Sequence, residues 1–264
     1  MLFDSHIHTN HSSDSSMRIE EVIEVIREKD IGVILTEHLD LNYPDDNMFK
    51  LDIEKYFKEY EKYRSNKLLL GIEIGLEEGE TALDYKKIVS SHCFDYVLGS
   101  THIVEGIDLY EDEFYINKDT LEVKEIDMVY DKYFNTMLRQ INENPYFDSL
   151  GHIDYIARYA AKHYNNSEIY YDKYSYIIDK ILKEVALMEK ALEINTRRLN
   201  SKKSIENLIP IYRAFKNFGG KLVTIGSDSH SKDSIGANFK NALNIIHETG
   251  LTPVYYKERK VIKY

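Results

Sequence analysis

The chain has a single cysteine, Cys93, in 264 residues. That excludes an internal disulfide framework and suits a reducing compartment. Basic residues are also in short supply: 34 Lys and Arg against 45 Asp and Glu leave a formal charge of −11. Such a chain lacks the basic face that nucleic acid or an anionic membrane surface requires, so neither is expected as a partner. No run of about 18 apolar residues is present, and no membrane span is expected. The opening Met1-Leu2-Phe3-Asp4-Ser5-His6 has no basic region followed by an apolar stretch, so no secretory leader is expected either. Linkers rich in Gly, Ser or Pro and internal repeats are absent too, which predicts one domain over residues 1–264. These absences together give cytoplasmic localisation as the expectation. They leave an anionic substrate open, because bound cations can reverse the local field of an acidic protein.

What the sequence does contain is alternation. Short apolar runs at 2–7, 32–36, 68–72, 96–99, 147–153, 191–195 and 221–226 are separated by segments of helical period. The clearest helical stripe joins Ile126, Val129, Tyr130, Tyr133, Phe134, Met137 and Ile141; others are expected near 19–26, 52–64, 174–190, 204–218 and 235–247. Seven strand-like runs alternating with helices predict an α/β fold with a mainly parallel sheet, closed as a barrel or open and doubly wound. The segment 103–123 is polar, aromatic and weakly periodic. It is longer than a normal connection and reads as a lid or as a surface insertion.

The histidines are placed where that fold would use them. His6 and His8 end the first run and His38 the second, while His102, His152 and His230 follow the fourth, fifth and seventh. Glu73 ends the third run, and Asp228 precedes His230. In parallel barrels and open α/β sheets, these C-terminal strand ends converge on the face where active sites form. His6 and His8, two apart on a strand, project to one side and can reach one ion. Imidazoles mixed with carboxylates suit zinc, manganese or iron better than calcium or magnesium. Asp14, in the loop after His8, is a further candidate ligand, and His11 in the same loop is ambiguous. His92, His163 and His247 fall within or beside helical patterns and read as ordinary histidines. Cys93 lacks a motif that would make it a nucleophile. The pattern predicts a divalent-metal-dependent hydrolase.

Seven motifs in order carry a family resemblance: Asp4-Ser5-His6-Ile7-His8-Thr9, Thr36-Glu37-His38, Gly71-Ile72-Glu73, Gly99-Ser100-Thr101-His102, Gly151-His152-Ile153-Asp154, Glu193-Ile194-Asn195-Thr196 and Gly226-Ser227-Asp228-Ser229-His230. The chain resembles the PHP (polymerase and histidinol phosphatase) family over nearly its whole length. The resemblance implies a distorted seven-stranded (β/α)7 TIM-like barrel, with two to three divalent ions (Zn, Mn or Fe) at the C-terminal ends of the strands. Carried over motif by motif, one ion is expected at His6, His8, Glu73 and Asp228. A second shares Glu73 with His102 and His152, and a third takes Asp14, His38 and His230. Glu37 stands where the family often has Asp, at a position expected behind the ligands. Arg158 and Arg197 are expected to bind phosphate, with Arg198 competing for the second role.

Length and single-domain character resemble the family's stand-alone histidinol-phosphate phosphatases. The implied reaction is hydrolysis of a small-molecule phosphate ester, histidinol phosphate first among them, by a hydroxide bridging two ions. Glu73, Asp228 and His230 are the expected catalytic group, the last two as candidates for delivering a proton to the leaving oxygen. The acidic residues Glu105, Asp108, Glu111, Asp112 and Glu113 are expected to meet a substrate ammonium or simply to be solvated. The alternatives are another phosphoesterase of the family (nucleotide, phosphotyrosine or nucleic-acid ends), an amidohydrolase-type C–N hydrolase, and a non-catalytic metal-binding protein.

Overall fold

A computed structural model describes all residues, 1–264. The chain begins β1 (Phe3–Ile7), α1 (Ile19–Lys29), β2 (Gly32–Leu39), α2 (Ile53–Tyr60), β3 (Leu68–Gly75), α3 (Glu80–Ser91) and β4 (Tyr96–Ser100). A small excursion of β5 (Ile103–Val104), β6 (Ile107–Asp108) and α4 (Asp112–Tyr115) precedes α5 (Ile126–Glu143) and β7 (Ser149–Leu150). Then come α6 (Tyr155–Ala160), α7 (Tyr171–Leu187), β8 (Ala191–Asn195), α8 (Lys202–Asn217), β9 (Leu222–Gly226) and α9 (Phe239–Thr249). The chain closes with a hairpin of β10 (Thr252–Lys257) and β11 (Lys260–Lys263). No helix is long and apolar enough to cross a membrane.

Nine strands form one sheet in the order β1-β2-β3-β4-β7-β8-β9-β10-β11. All neighbours are parallel except the final hairpin. Every residue of β2 and β3 is buried, as a parallel sheet covered on both faces requires. Alternate residues serve two cores. Val33, Leu35, Leu68, Leu70, Val97 and Leu192 face outward into the main core with the helices, where Tyr133, Phe134 and Met137 of α5 also pack. Each such side chain contributes roughly 1.5–3 kcal/mol by leaving water. The inward residues Phe3, Ile34, Leu69, Tyr96, Leu98 and Ala191 form a smaller apolar plug, completed by Val254 and Tyr256 of β10. Further along the same inward rows come Thr36 and His38, Gly71 and Glu73, and Ser100. The sheet therefore presents an apolar floor at one end and the polar strand ends at the other.

In β1 the register slips by one residue between Asp4 and Ile7, so that three steps on β1 match two on β2. A bulge of this kind re-aims side chains. It lets Phe3 join the inner plug while Ile7 packs outward, which turns His6 and His8 inward.

The sheet curls without forming the closed seven-stranded barrel that the resemblance implied. Strand β10 pairs with the first residues of β9 (Thr252 with Leu222, Pro253 with Val223) and so occupies the edge that β1 would need. Strands β1 and β9 pack along each other, but their backbone pairing is one parallel bridge just past β9, Ile7 with Ser229, where His8 N donates to Ser229 O at 2.8 Å and Ser229 N to His6 O at 3.4 Å. The opposite end is spanned by the hairpin: Tyr255 stacks on Phe3 at 3.8 Å and the Tyr264 hydroxyl bonds to the Phe3 backbone.

The buried Asp4 carboxylate reinforces the seam, accepting from Ser227 N (2.8 Å), Ser227 Oγ (2.5 Å) and Gly236 N (2.7 Å). An amide cannot accept all three without turning its NH2 against a donor. Asp4→Asn is expected to lower unfolding free energy by about 1–3 kcal/mol, read from the urea midpoint; an unchanged midpoint would show that the tie contributes nothing.

Candidate metal centre

The strand ends bring all nine sequence-predicted ligands into one cluster. Glu73, fully buried at the end of β3, sits among five imidazoles, four of them within 3.3 Å and His8 Nε2 at 3.5 Å. Its Oε2 lies 3.2 Å from His6 Nε2 and 3.0 Å from His38 Nδ1. Its Oε1 lies 3.1 Å from His152 Nε2 and 3.3 Å from His102 Nε2. His8 Nε2 is 3.0 Å from His6 Nε2 and 3.6 Å from Asp228 Oδ1. Asp14 Oδ2 reaches His230 Nε2 at 2.8 Å and His38 Nε2 at 3.6 Å. Asp228 adopts a left-handed backbone (φ 51°), a conformation that Asp tolerates better than most residues.

The donor set fits divalent cations. Four overlapping triads have their ligand atoms mutually within 4.8 Å: His6-His8-Asp228, His6-Glu73-His152, His38-Glu73-His102 and His8-His38-His230. These divide the cluster differently from the motif-by-motif expectation, since His38 joins Glu73 and His8 joins His230. Three buried ring nitrogens, His38 Nδ1, His102 Nε2 and His152 Nδ1, have no hydrogen-bond partner. The first two lie close to Glu73 but out of line with it, as atoms do that share a third partner. Leaving those two unsatisfied costs about 1–3 kcal/mol each, which a cation shared with Glu73 would remove.

The charge balance points the same way. Burial opposes ionisation of Glu73, yet the charges of His6, His38 and His102 hold its carboxyl well below the usual range. Burial and the neighbouring His38 and His230 push His8 well below the imidazole range, leaving the neutral form that ligates metals. The neighbouring carboxylates, Glu73 foremost, favour protons on His6, His38 and His102, and a bound cation would displace them.

Behind these donors stand residues that the sequence reading did not single out for a role. His6 Nδ1 bonds Glu193 Oε1 at 2.7 Å, and the other oxygen of Glu193 accepts from His152 N at 2.7 Å. His102 Nδ1 bonds Asp40 Oδ1 at 2.9 Å, and Ser100 Oγ donates to Glu73 Oε1 at 2.6 Å. Carboxylates behind ligating histidines fix the tautomer and aim the other nitrogen at the metal. Two glycines make room: a Cβ on Gly226 would lie 2.2 Å from Glu193 Oε1, and one on Gly75 would lie 1.9 Å from Asp40 Oδ1. Glu37 lies behind the cluster as expected, accepting from Thr9 Oγ1 and Ser12 Oγ, both at 2.6 Å, and so pinning the loop after β1. Glu193 had a signal, an acid inward between outward Leu192 and Ile194; Asp40 had none.

The three arginines separate cleanly. Arg158 Nη1 lies 3.3 Å from Asp228 Oδ2, and Arg197 Nη1 lies 2.6 Å from Asp228 O and 3.2 Å from its Oδ1. Both border a cavity of about 590 Å³ together with Asp14, His38, His102 and His230. Arg198 is instead clamped by Asp154 and Glu168, each at 2.9 Å, and ties α6 to α8. His11 pairs with Glu59, His92 with Glu54 and His163 with Asp112, while His247 is exposed; none joins the cluster. Cys93 is exposed. Segment 103–123 forms an ordered wall of the cavity through Asp108, Tyr110 and Glu111.

The chain matches the PHP domain family model over residues 4–197. It is 53% identical, over the full length of both chains, to a probable histidinol-phosphatase of Clostridium acetobutylicum. A histidinol-phosphatase of Lactococcus lactis is 31% identical across 94% of this chain and 91% of that one. Among solved structures, a Lactococcus lactis histidinol phosphate phosphatase complexed with zinc, L-histidinol and phosphate superposes with a TM-score of 0.90. It is 27% identical and 99% of each chain is covered.

Both oxygens of Glu193 accept hydrogen bonds, so Glu193→Gln must turn an NH2 against one donor. Zinc affinity is expected to fall about 10–100-fold with an unchanged circular dichroism spectrum, measured by competition with a chromogenic chelator. Wild-type affinity in the variant would refute the orienting role.

Proposed function

The chain belongs to the PHP-domain family, and from that premise we propose that it is a metal-dependent phosphoric monoester hydrolase acting on L-histidinol phosphate in histidine biosynthesis. The observation that carries this reading is the pair Arg158 and Arg197, both held on Asp228 at the rim of the histidine cluster and inside one cavity. The likeness to phosphatases of the same name over nearly the whole chain supports the substrate.

His6, His8, Asp14, His38, Glu73, His102, His152, Asp228 and His230 would hold two to three divalent ions, with zinc, manganese and iron suited to the donor set. Such ions, when bound, act as Lewis acids and lower the pKa of coordinated water. The chain's own residues do the rest. Arg158 and Arg197 each present a planar fork of donors to phosphate oxygens, a geometry lysine lacks. Their present partner is Asp228, so substrate phosphate exchanges one anion for another without leaving a guanidinium bare.

Glu73 serves as the shared carboxylate that fixes four imidazoles relative to one another. Burial works against ionisation of Asp228, but the charges of His6, Arg197, His230 and Arg158 hold its carboxyl below the usual range. This supports ligation and arginine anchoring as the role of Asp228. His230 also lies against Arg197, with Nδ1 3.2 Å from Nη1.

Zinc- or manganese-reconstituted protein is expected to release phosphate from L-histidinol phosphate with kcat/KM of about 10⁴ M⁻¹s⁻¹ or more, well above other monoesters in a panel. Slow, indiscriminate release would remove the substrate assignment. Glu73→Gln is expected to cut turnover by about 10²-fold or more while Arg158→Ala and Arg197→Ala chiefly raise KM; near-normal turnover in Glu73→Gln would contradict the role given to that carboxylate.

A further inference from the structure

His38 differs from His6 and His102 in what holds its ring. His6 turns one nitrogen to Glu193 and His102 turns one to Asp40, and each carboxylate fixes the plane of the imidazole it bonds. His38 has no nitrogen to spare. Its Nδ1 lies 3.0 Å from Glu73 Oε2 and its Nε2 lies 3.6 Å from Asp14 Oδ2, so both face other members of the cluster. The plane of this ring is left to packing. His8 stacks on it with ring centres 4.1 Å apart and planes 14° from parallel, and Phe49 meets it at 4.9 Å and 80°.

Phe49 supplies that contact from an unfavourable backbone. Its φ is 55°, in the left-handed region that glycine and asparagine tolerate and a bulky side chain avoids. Nine non-glycine residues of the chain have positive φ, and Phe49 is the only aromatic one. Hydrogen bonds hold it there: Phe49 O accepts from Asp40 N at 2.8 Å, and Phe49 N donates to Ser13 Oγ at 3.0 Å. An antiparallel bridge joins Leu39, at the end of β2, to Lys50, whose Nζ donates to the carbonyls of Asp40 (2.8 Å) and Leu41. Tyr43 packs against the phenyl ring at 4.5 Å and is itself bonded to Asp108. Strain of this kind persists only where the surroundings over-determine it, and it gathers at working sites. Ser13 precedes Asp14, so Phe49 touches His38 through its ring and the Asp14 loop through its amide.

We propose that Phe49 is a positioning residue of the metal centre: its ring fixes the plane of the His38 imidazole and its amide holds the Asp14 loop, so that both ligands face one cation. The side chains of Asp14, His38 and His230 are 10–32% exposed, against at most 7% for the other six ligands. A cation shared by those three has the least burial around it and depends most on support from outside the ligand set. This rests on the metal-dependent reading of the site and is independent of the substrate.

Deleting the ring with and without its Cβ separates positioning from ordinary packing. Phe49→Ala and Phe49→Gly are compared with wild type and with Phe49→Tyr, which keeps the ring. Zinc affinity and stoichiometry are read by competition with a chromogenic chelator, urea midpoints on the metal-free proteins, and kcat and KM on L-histidinol phosphate. Both deletions are expected to weaken the loosest-bound zinc about 10-fold or more, and to lower kcat by more than they raise KM, while Phe49→Tyr stays near wild type. Glycine adopts the left-handed region without the penalty that alanine meets, so Phe49→Gly is expected to unfold at a higher urea midpoint than Phe49→Ala, the reverse of the usual order. Should Phe49→Ala fail to fold, Phe49→Gly still reads the loss of the ring. Wild-type zinc affinity in the ring deletions would overturn the positioning role, as would a loss that Phe49→Tyr fails to restore. A midpoint for Phe49→Ala at or above that of Phe49→Gly would overturn the strained placement of the ring. Zinc binding by a wild type inactive on L-histidinol phosphate would remove the substrate and leave the affinity comparison to decide, whereas a wild type that binds no zinc would overturn the metal centre and the role of Phe49 with it.

Discussion

A single buried carboxylate organises this molecule. Glu73 lies with no solvent exposure between His6, His38, His102 and His152, each nitrogen within 3.3 Å of one of its oxygens. A carboxylate in that position is tolerable only when positive charge surrounds it. The four histidines come from β1, β2 and the residues following β4 and β7, so satisfying Glu73 requires those strand ends to converge. Metal binding and the shape of the sheet are thus two aspects of one electrostatic requirement.

The sheet meets that requirement by curling around an inner apolar plug and leaving its polar ends together above it. Where β1 and β9 approach, no continuous ladder joins them. A bridge at Ile7 and Ser229, the Asp4 carboxylate and the terminal hairpin hold the seam instead. The hairpin is fastened to the far end of the sheet by Arg259, which bonds Asp148, and by Glu258 N, which donates to Asp95 at 2.9 Å. The site therefore stands on a scaffold closed by side chains at both ends, which lets Asp228 and His230 lie against His6 and His8 although more than two hundred residues separate them.

Much of this was legible in the sequence because it follows from periodicity. Buried parallel strands read as continuous apolar runs, and histidines at their C-terminal ends could meet only on one face. Hence all nine expected ligands lie in one cluster, β8 coincides with its expected run at 191–195, and the whole stripe from Ile126 to Ile141 lies on α5. The strand expected over 147–153 shrinks to Ser149–Leu150, because Phe147 and Ile153 pack in the core without joining the ladder. The terminal hairpin was illegible for a physical reason. Its two-residue turn, Glu258-Arg259, has positive φ at both positions without the Asn or Gly that usually marks such turns, and tertiary bonds to Asp95 hold it there. With the hairpin went the difference between a closed barrel and a curled nine-stranded sheet. Asp40 was equally hidden, since nothing local says that a carboxylate two residues past His38 will meet His102.

The chemistry extends outward from Glu73 in order: imidazoles, then the arginines on Asp228, then the cavity with its carboxylate wall. Each layer depends on the one inside it. The most direct test of the whole account is anomalous diffraction from crystals of the zinc- or manganese-loaded protein, which counts the ions and locates them against the side chains. The account predicts two or three ions within the nine-residue cluster, at least one of them touching Glu73. A single ion elsewhere, or a cluster that stays empty at saturating metal, would contradict it.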